Sequence, residues 1–96
     1  ERESYQKKAV DIISWLIKSL LEINNLNEAE QLCEKLINID NLNEDSYLLF
    51  MQIAGKKKDK YLLKHVYQII LKTFDKELGI PPSPEFEKHY RLLSGF

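Results

Sequence analysis

Only six residues of this 96-residue chain are glycine or proline, and four of them fall in one short stretch, Gly79-Ile80-Pro81-Pro82-Ser83-Pro84. Gly55 and Gly95 are the other two. So little punctuation favours a few long helices over many short strands, which need turn residues at frequent intervals. The apolar residues agree. From Ser4 to Ile23, Tyr5, Ala9, Ile12/Ile13, Leu16/Ile17 and Leu20 recur at three- and four-residue spacing, one stripe along an amphipathic helix. No segment alternates with period two, so the expected class is all-α.

The boundaries of further helices can be read from capping chemistry. Asn24 and Asn25 can end the first helix, because Asn tolerates the left-handed backbone of a helix terminus. Asn27 reads as the next N-cap, with Glu28 and Glu30 at the positive end of the helix dipole. That second helix carries Ala29, Leu32/Cys33, Leu36 and Ile37 and ends near Asp40. Asn43 caps a third, with Tyr47, Phe50/Met51 and Ala54 as its stripe and Gly55 as its stop. Lys56, Lys57 and Lys58 then form a polar connection. Asp59 caps a fourth helix, whose stripe runs through Leu62/Leu63, Val66/Tyr67, Ile69/Ile70, Phe74 and Leu78.

A shift of 34 residues overlays Ile13 on Tyr47, Leu16 on Phe50, Ile17 on Met51 and Leu20 on Ala54. It also overlays Ala29 on Leu63, Leu32 on Val66, Cys33 on Tyr67 and Leu36 on Ile70. Asp11 falls on Asp45, almost the sole identity, yet the apolar register holds through both helices. A helix–turn–helix unit of about 34 residues has the length of a tetratricopeptide repeat. Ala29 in "NNLNEAEQL" occupies the small-residue position of that repeat's turn. The expectation is a right-handed stack of two helical hairpins plus a C-terminal capping helix, about five helices in all.

That last helix begins at the proline-rich corner. Gly79 permits a left-handed C-terminal residue, and Pro81 and Pro82 cannot continue a helix. Ser83 caps a new helix with Pro84 at its first position, where a missing N–H costs nothing. Phe86, Tyr90 and Leu93 share one face, suited to covering the flank of the preceding unit.

The corner also carries a family likeness. "ELGIPPSPE" (77–85) resembles the E-L-G-x-x-P-S/D-x-E stretch of the bacterial transcriptional activator domain, found in the antibiotic-regulatory activators (the SARP group) and related regulators. The residues carrying the match are Glu77, Leu78, Gly79, Pro82, Ser83 and Pro84, with Tyr67 twelve residues before Gly79. Residues 27–55 resemble the family's upstream segment, with Asp40-Asn41-Leu42 in place of Asp-Pro-Leu and with Glu44 and Met51 at the expected positions. The likeness spans roughly residues 9–93. It implies a tetratricopeptide-like domain that follows a winged-helix DNA-binding domain, sometimes with a receiver domain as in response regulators. It also implies a role in protein–protein contact: self-association, the transcription machinery, or signal relay. On this reading residues 1–96 form one domain, a C-terminal fragment of a longer cytoplasmic bacterial regulator, and DNA is met only through a domain outside the chain. A scaffold that binds a peptide unrelated to transcription is the alternative.

The residues themselves argue against other classes. A net charge of −1 gives no overall case for nucleic acid. Charge is uneven, however: residues 22–45 are acidic and residues 56–76 hold seven lysines, which could pair within the fold or between copies. The lysines at 56–60 could touch phosphate, but solvating a loop is the simpler role. His65 and His89 lack further ligands at metal-binding spacing. Cys33, the sole cysteine, sits on an apolar stripe and reads as a small core residue. No phosphate-binding loop or nucleophile elbow occurs. The expectation is therefore a non-enzyme without cofactor or metal, and with no membrane span. Candidate partner contacts are Ser14, Lys18 and Leu21 beside Leu48 and Gln52, the helices that line the concave side of such stacks. Trp15, off the main stripe, either anchors an interface or packs beneath a neighbouring helix.

Overall fold

The computed structural model describes residues 2–95, with side chains from Gln6 onward. Five helices follow in order: α1 (Arg2–Glu22), α2 (Leu26–Ile39), α3 (Glu44–Lys57), α4 (Lys60–Leu78) and α5 (Pro84–Leu93). The described residues contain no strand, and the fold is all-α as expected. Tyr5 of the expected stripe lies outside the described side chains.

The 34-residue repeat is visible in the backbone. Asn24 and Lys58 both adopt the left-handed conformation, at φ 61° and 55°. The residue after each donates to a carbonyl five residues back: Asn25 N–H to Leu20 O at 2.8 Å and Asp59 N–H to Ala54 O at 3.0 Å. The helices that follow begin at Leu26 and Lys60, also 34 apart. Only the caps differ. Asp59 accepts from the Leu62 N–H at 3.0 Å, whereas Asn25 makes no side-chain capping bond.

Several boundaries depart from the sequence reading. Asn25, not Asn27, is the N-cap of α2, because the left-handed Asn24 lets the chain turn two residues earlier. Asn27 instead accepts from Lys57 Nζ at 3.2 Å. Gly55 does not end α3, which runs through Lys56 and Lys57 to a left-handed Lys58. Its lack of a side chain serves α5: a Cβ built there would lie 3.0 Å from Leu93 Cδ2. The expected lysine connection thus shrinks to Lys58 and Asp59.

The core is centred on α3, which buries Tyr47, Leu49, Phe50, Met51, Ile53 and Ala54. α2 contributes Ala29, Cys33 and Leu36, and α4 contributes Leu63, Val66, Ile70 and Phe74. α1 contributes Ile17 and Leu21, with Val10, Ile13 and Leu20 half-buried. Ile12 and Leu16, expected in the stripe, are exposed, because α1 meets α2 and α3 through its other face. Leu78 is likewise exposed at the end of α4, one residue before the chain turns at Gly79.

The proline-rich corner is held by two motif segments in contact. Gly79 takes φ 67° and ends α4. Ser83 then caps α5 by accepting from the Phe86 N–H at 3.2 Å. Its own N–H and hydroxyl donate to the two carboxylate oxygens of Glu44, at 3.0 and 2.6 Å. The first turn of α3 therefore fixes the start of α5. Further along, Tyr67 stacks on Tyr90, with ring centroids 3.7 Å apart, and donates its phenol to Glu87 at 2.6 Å. Burial, then the Glu87 carboxylate, push the Tyr67 phenol up to about 12.

Two serines are expected to respond to alanine with opposite sign in urea unfolding. Ser83→Ala removes the cap and the hydroxyl's bond to Glu44, leaving only the backbone N–H on that carboxylate, a loss of about 1–2 kcal/mol. Ser46 is buried, and its hydroxyl has no hydrogen-bond partner among the described residues. Ser46→Ala is expected to gain about 0.5–1 kcal/mol. Alkaline pH supplies a second check. The folded protein holds the Tyr67 proton more tightly than the unfolded chain, whose phenol ionises near 10. That contribution is complete below about pH 10 and is lost as the pH rises through about 12. Tyr67→Phe should flatten this part of the stability profile.

Candidate protein-interaction surface

α1 and α3 lie on the same side of the stack, and a groove of about 430 Å³ runs between them. Ser14 and Lys18 enter it from α1, and Leu48 and Gln52 from α3. The inner-helix register thus gathers four of the sequence candidates along one surface. Leu21 does not join them: it is 9% exposed and belongs to the core. A side chain this buried is not open to a partner.

Five groove residues were not among the sequence candidates, and two of them are charged. Asp11 and Asp45 line the same cleft. They are the pair that the 34-residue shift superimposes, and that identity was the available signal. Together with Lys18, Asn43 and Gln52 they make the groove polar, with Leu48 and Leu49 as its apolar floor. Such a lining suits a polar peptide or helix face more than an apolar ligand.

Trp15 faces elsewhere. It is 66% exposed, so no described helix covers it. Ile12, Leu16 and Ile23 are exposed on the same side of α1, so the helix shows an apolar face as well as the polar one.

The lysine-rich half is partly engaged. Lys57 bridges Glu30 at 2.8 Å across the α2–α3 contact. Pairs with side chains this accessible contribute on the order of 0.2–1 kcal/mol, so the link orients the helices more than it stabilises them.

Reactive chemistry finds little support. Cys33 is fully buried, and burial, aided by Glu30 and Glu34, pushes its thiol up to about 12. A protonated, enclosed thiol is a poor nucleophile. His65 is on α4 and His89 on α5, both exposed. Among the described residues no group of three His, Cys, Asp or Glu could hold a metal ion. No described helix is long and apolar enough to cross a membrane.

Five of the family-motif residues serve structure. Tyr67 and Ser83 hold α5, Gly79 turns the chain, Pro82 is buried at the corner and Pro84 opens α5. Glu77 and Leu78 are exposed. The sequence profile of the bacterial transcriptional activator domain matches residues 1–93. The chain belongs to that family. No curated protein and no solved structure matches it. Membership joins the observations: the two stretches that carry the bacterial transcriptional activator likeness meet through Glu44 and Ser83.

Thiol accessibility checks the burial of Cys33. An aromatic disulfide reagent at pH 8 should label the native domain at least a hundredfold more slowly than the urea-unfolded chain. Labelling at the rate of a free thiol would show that the α2 face is open.

Proposed function

We propose that this bacterial transcriptional activator domain is a non-catalytic protein-interaction and oligomerisation module. It forms the C-terminal part of a longer cytoplasmic regulator whose winged-helix domain, outside this chain, contacts DNA. The observation that carries the reading is the exposed face of α1 around Trp15. An aromatic anchor with three aliphatic neighbours on one helix face is the composition of a protein contact. The polar α1–α3 groove, with Ser14, Lys18, Leu48 and Gln52, offers a second contact region for the transcription machinery or an adjacent domain. The buried thiol and separated histidines support a role without catalysis.

The test is made in the intact regulator. Removing residues 1–96 should abolish promoter activation while leaving affinity for operator duplex within about threefold. The isolated domain should not bind duplex even at low salt, where any phosphate contacts would be strongest. Duplex binding by the domain alone, or full activation without it, would sink the reading.

A further inference from the structure

The acidic and basic halves of the chain end up on two walls of one groove, and most of their charges are left unpaired there. α2 carries Glu28, Glu30 and Glu34 against Lys35. α4 has no acidic residue from Lys60 to Phe74 and carries Lys64, Lys72 and, past Asp75, Lys76. Both helices pack on α3 and barely touch each other. Lys57 and Glu30 meet at 2.8 Å near the start of α2. Glu34, Lys72 and Lys76 are exposed, with no hydrogen-bond or ion-pair partner among the described residues.

Between the walls lies a groove of about 400 Å³. Ile37 of α2 and Leu62 and Ile69 of α4 form its apolar sides, over buried Phe50 of α3. Glu34, Asn38 and His65 are the exposed residues of its lining. Phe50 is two residues from both Leu48 and Gln52, about 200° around the helix, so this groove opens on the other side of α3 from the α1–α3 cleft. Register extends the α4 wall. Leu62, His65, Ile69, Lys72 and Lys76 follow at spacings of three, four, three and four, one continuous helix face.

Shape and charge together select the occupant. An apolar slot between two helix edges suits the aliphatic stripe of an amphipathic helix. α2 and α4 run the same way, since short connections set each antiparallel to α3. A helix laid antiparallel to both has favourable dipoles and starts at the end where α2 and α4 finish. The 34-residue shift sets Glu34 level with Gln68, so Lys72 and Lys76 lie about 6 and 12 Å further towards that end. The docked helix therefore meets the two lysines with its first turn and Glu34 nearer its last. Acidic residues in the first turn and basic ones in the last also stabilise such a helix on its own. A duplex or an anionic bilayer would meet the lysines, but it is too broad to enter the groove and is repelled by Glu34.

We propose that the α2–α4 groove binds an amphipathic helix of a partner protein, acidic in its first turn, basic in its last, and antiparallel to α2 and α4. The proposal rests on the protein-interaction reading above and adds to it a further surface and the chemistry of its partner.

The probe is a synthetic peptide of about 16 residues, enough to span the roughly 21 Å from Leu62 to Lys76. It has glutamates in its first turn, leucines at helical spacing and lysines in its last turn. Titrated into the isotope-labelled chain, it should bind with a dissociation constant on the order of 10–100 µM, as befits a small interface. The amide signals of Ile37, Leu62, His65 and Ile69 should move, and those of Val10, Asp11 and Ser14 should not. Lys72→Glu combined with Lys76→Glu should weaken binding about tenfold or more with helix content unchanged. A second peptide, with lysines first and glutamates last, should bind the wild type poorly and gain affinity for the Lys72→Glu/Lys76→Glu chain. Its own helicity is the same in both titrations, so that gain reports the wall charges. No binding up to about 1 mM, signals that move elsewhere, or indifference to the lysine reversals overturns the proposal. So does capture of phosphatidylserine vesicles or duplex by the same lysines while the peptide fails. A failed peptide, with activation still lost on deleting the domain, overturns this groove alone and leaves the interaction reading intact. A bound peptide beside an unaffected promoter does the reverse.

Discussion

The burial of α3 on almost every side is the constraint on which the rest depends. A helix of 14 residues that hides Ser46, Tyr47, Leu49, Phe50, Met51, Ile53 and Ala54 needs partners all round. α2 takes one flank, α4 another, and α5 lies against the end near Gly55, where Leu93 occupies the space of a missing side chain. Each fully buried aliphatic or aromatic side chain contributes roughly 1.5–3 kcal/mol of transfer free energy. That gain draws the other helices to α3 and offsets the entropy of ordering a thin molecule, only 18 Å in its shortest dimension. The polar links are then orienting devices. Glu44 fixes where α5 starts, Tyr67 fixes how it lies, and Glu30 with Lys57 sets α2 against α3.

Much of this was legible in the sequence because it is local. Asn43, Asp59, Ser83 and Gly79 act within a turn of themselves, and their chemistry names the boundary they make. The 34-residue register was legible because each unit repeats one pattern of burial. What failed required knowledge of neighbours. Apolar spacing was read as one stripe along α1 that included Ile12 and Leu16, but the structure buries Ile17 and exposes Ile12 and Leu16, and periodicity does not say which edge of a wide stripe meets another helix. Gly55 looked like a stop because glycine often is one; packing against Leu93 keeps it inside the helix. Asn27 looked like a cap by composition, but the left-handed residue at Asn24 had already turned the chain.

The candidate surfaces divide the same way. Inner-helix register alone brought Ser14, Lys18, Leu48 and Gln52 to one cleft, since equivalent positions of stacked helices must align. Asp11 and Asp45 were visible only as an identity across the shift and acquire meaning once the helices are side by side. Leu21 misled because it is buried in the core, and register alone does not show which residues of α1 its neighbours cover. The meeting of Glu44 with Ser83 lay beyond any local reading, since 39 residues separate them.

The two ends of the stack are built differently, and this difference shapes what the domain can do. At the C-terminal end the chain turns at Gly79 and Pro82 and lays α5 over the last unit, so the apolar surface a repeat would otherwise pass to its neighbour is used internally. At α1 the equivalent face, with Ile12, Trp15 and Leu16, is exposed among the described residues. A stack closed at both ends would present only its grooves, and a stack open at both would grow without limit.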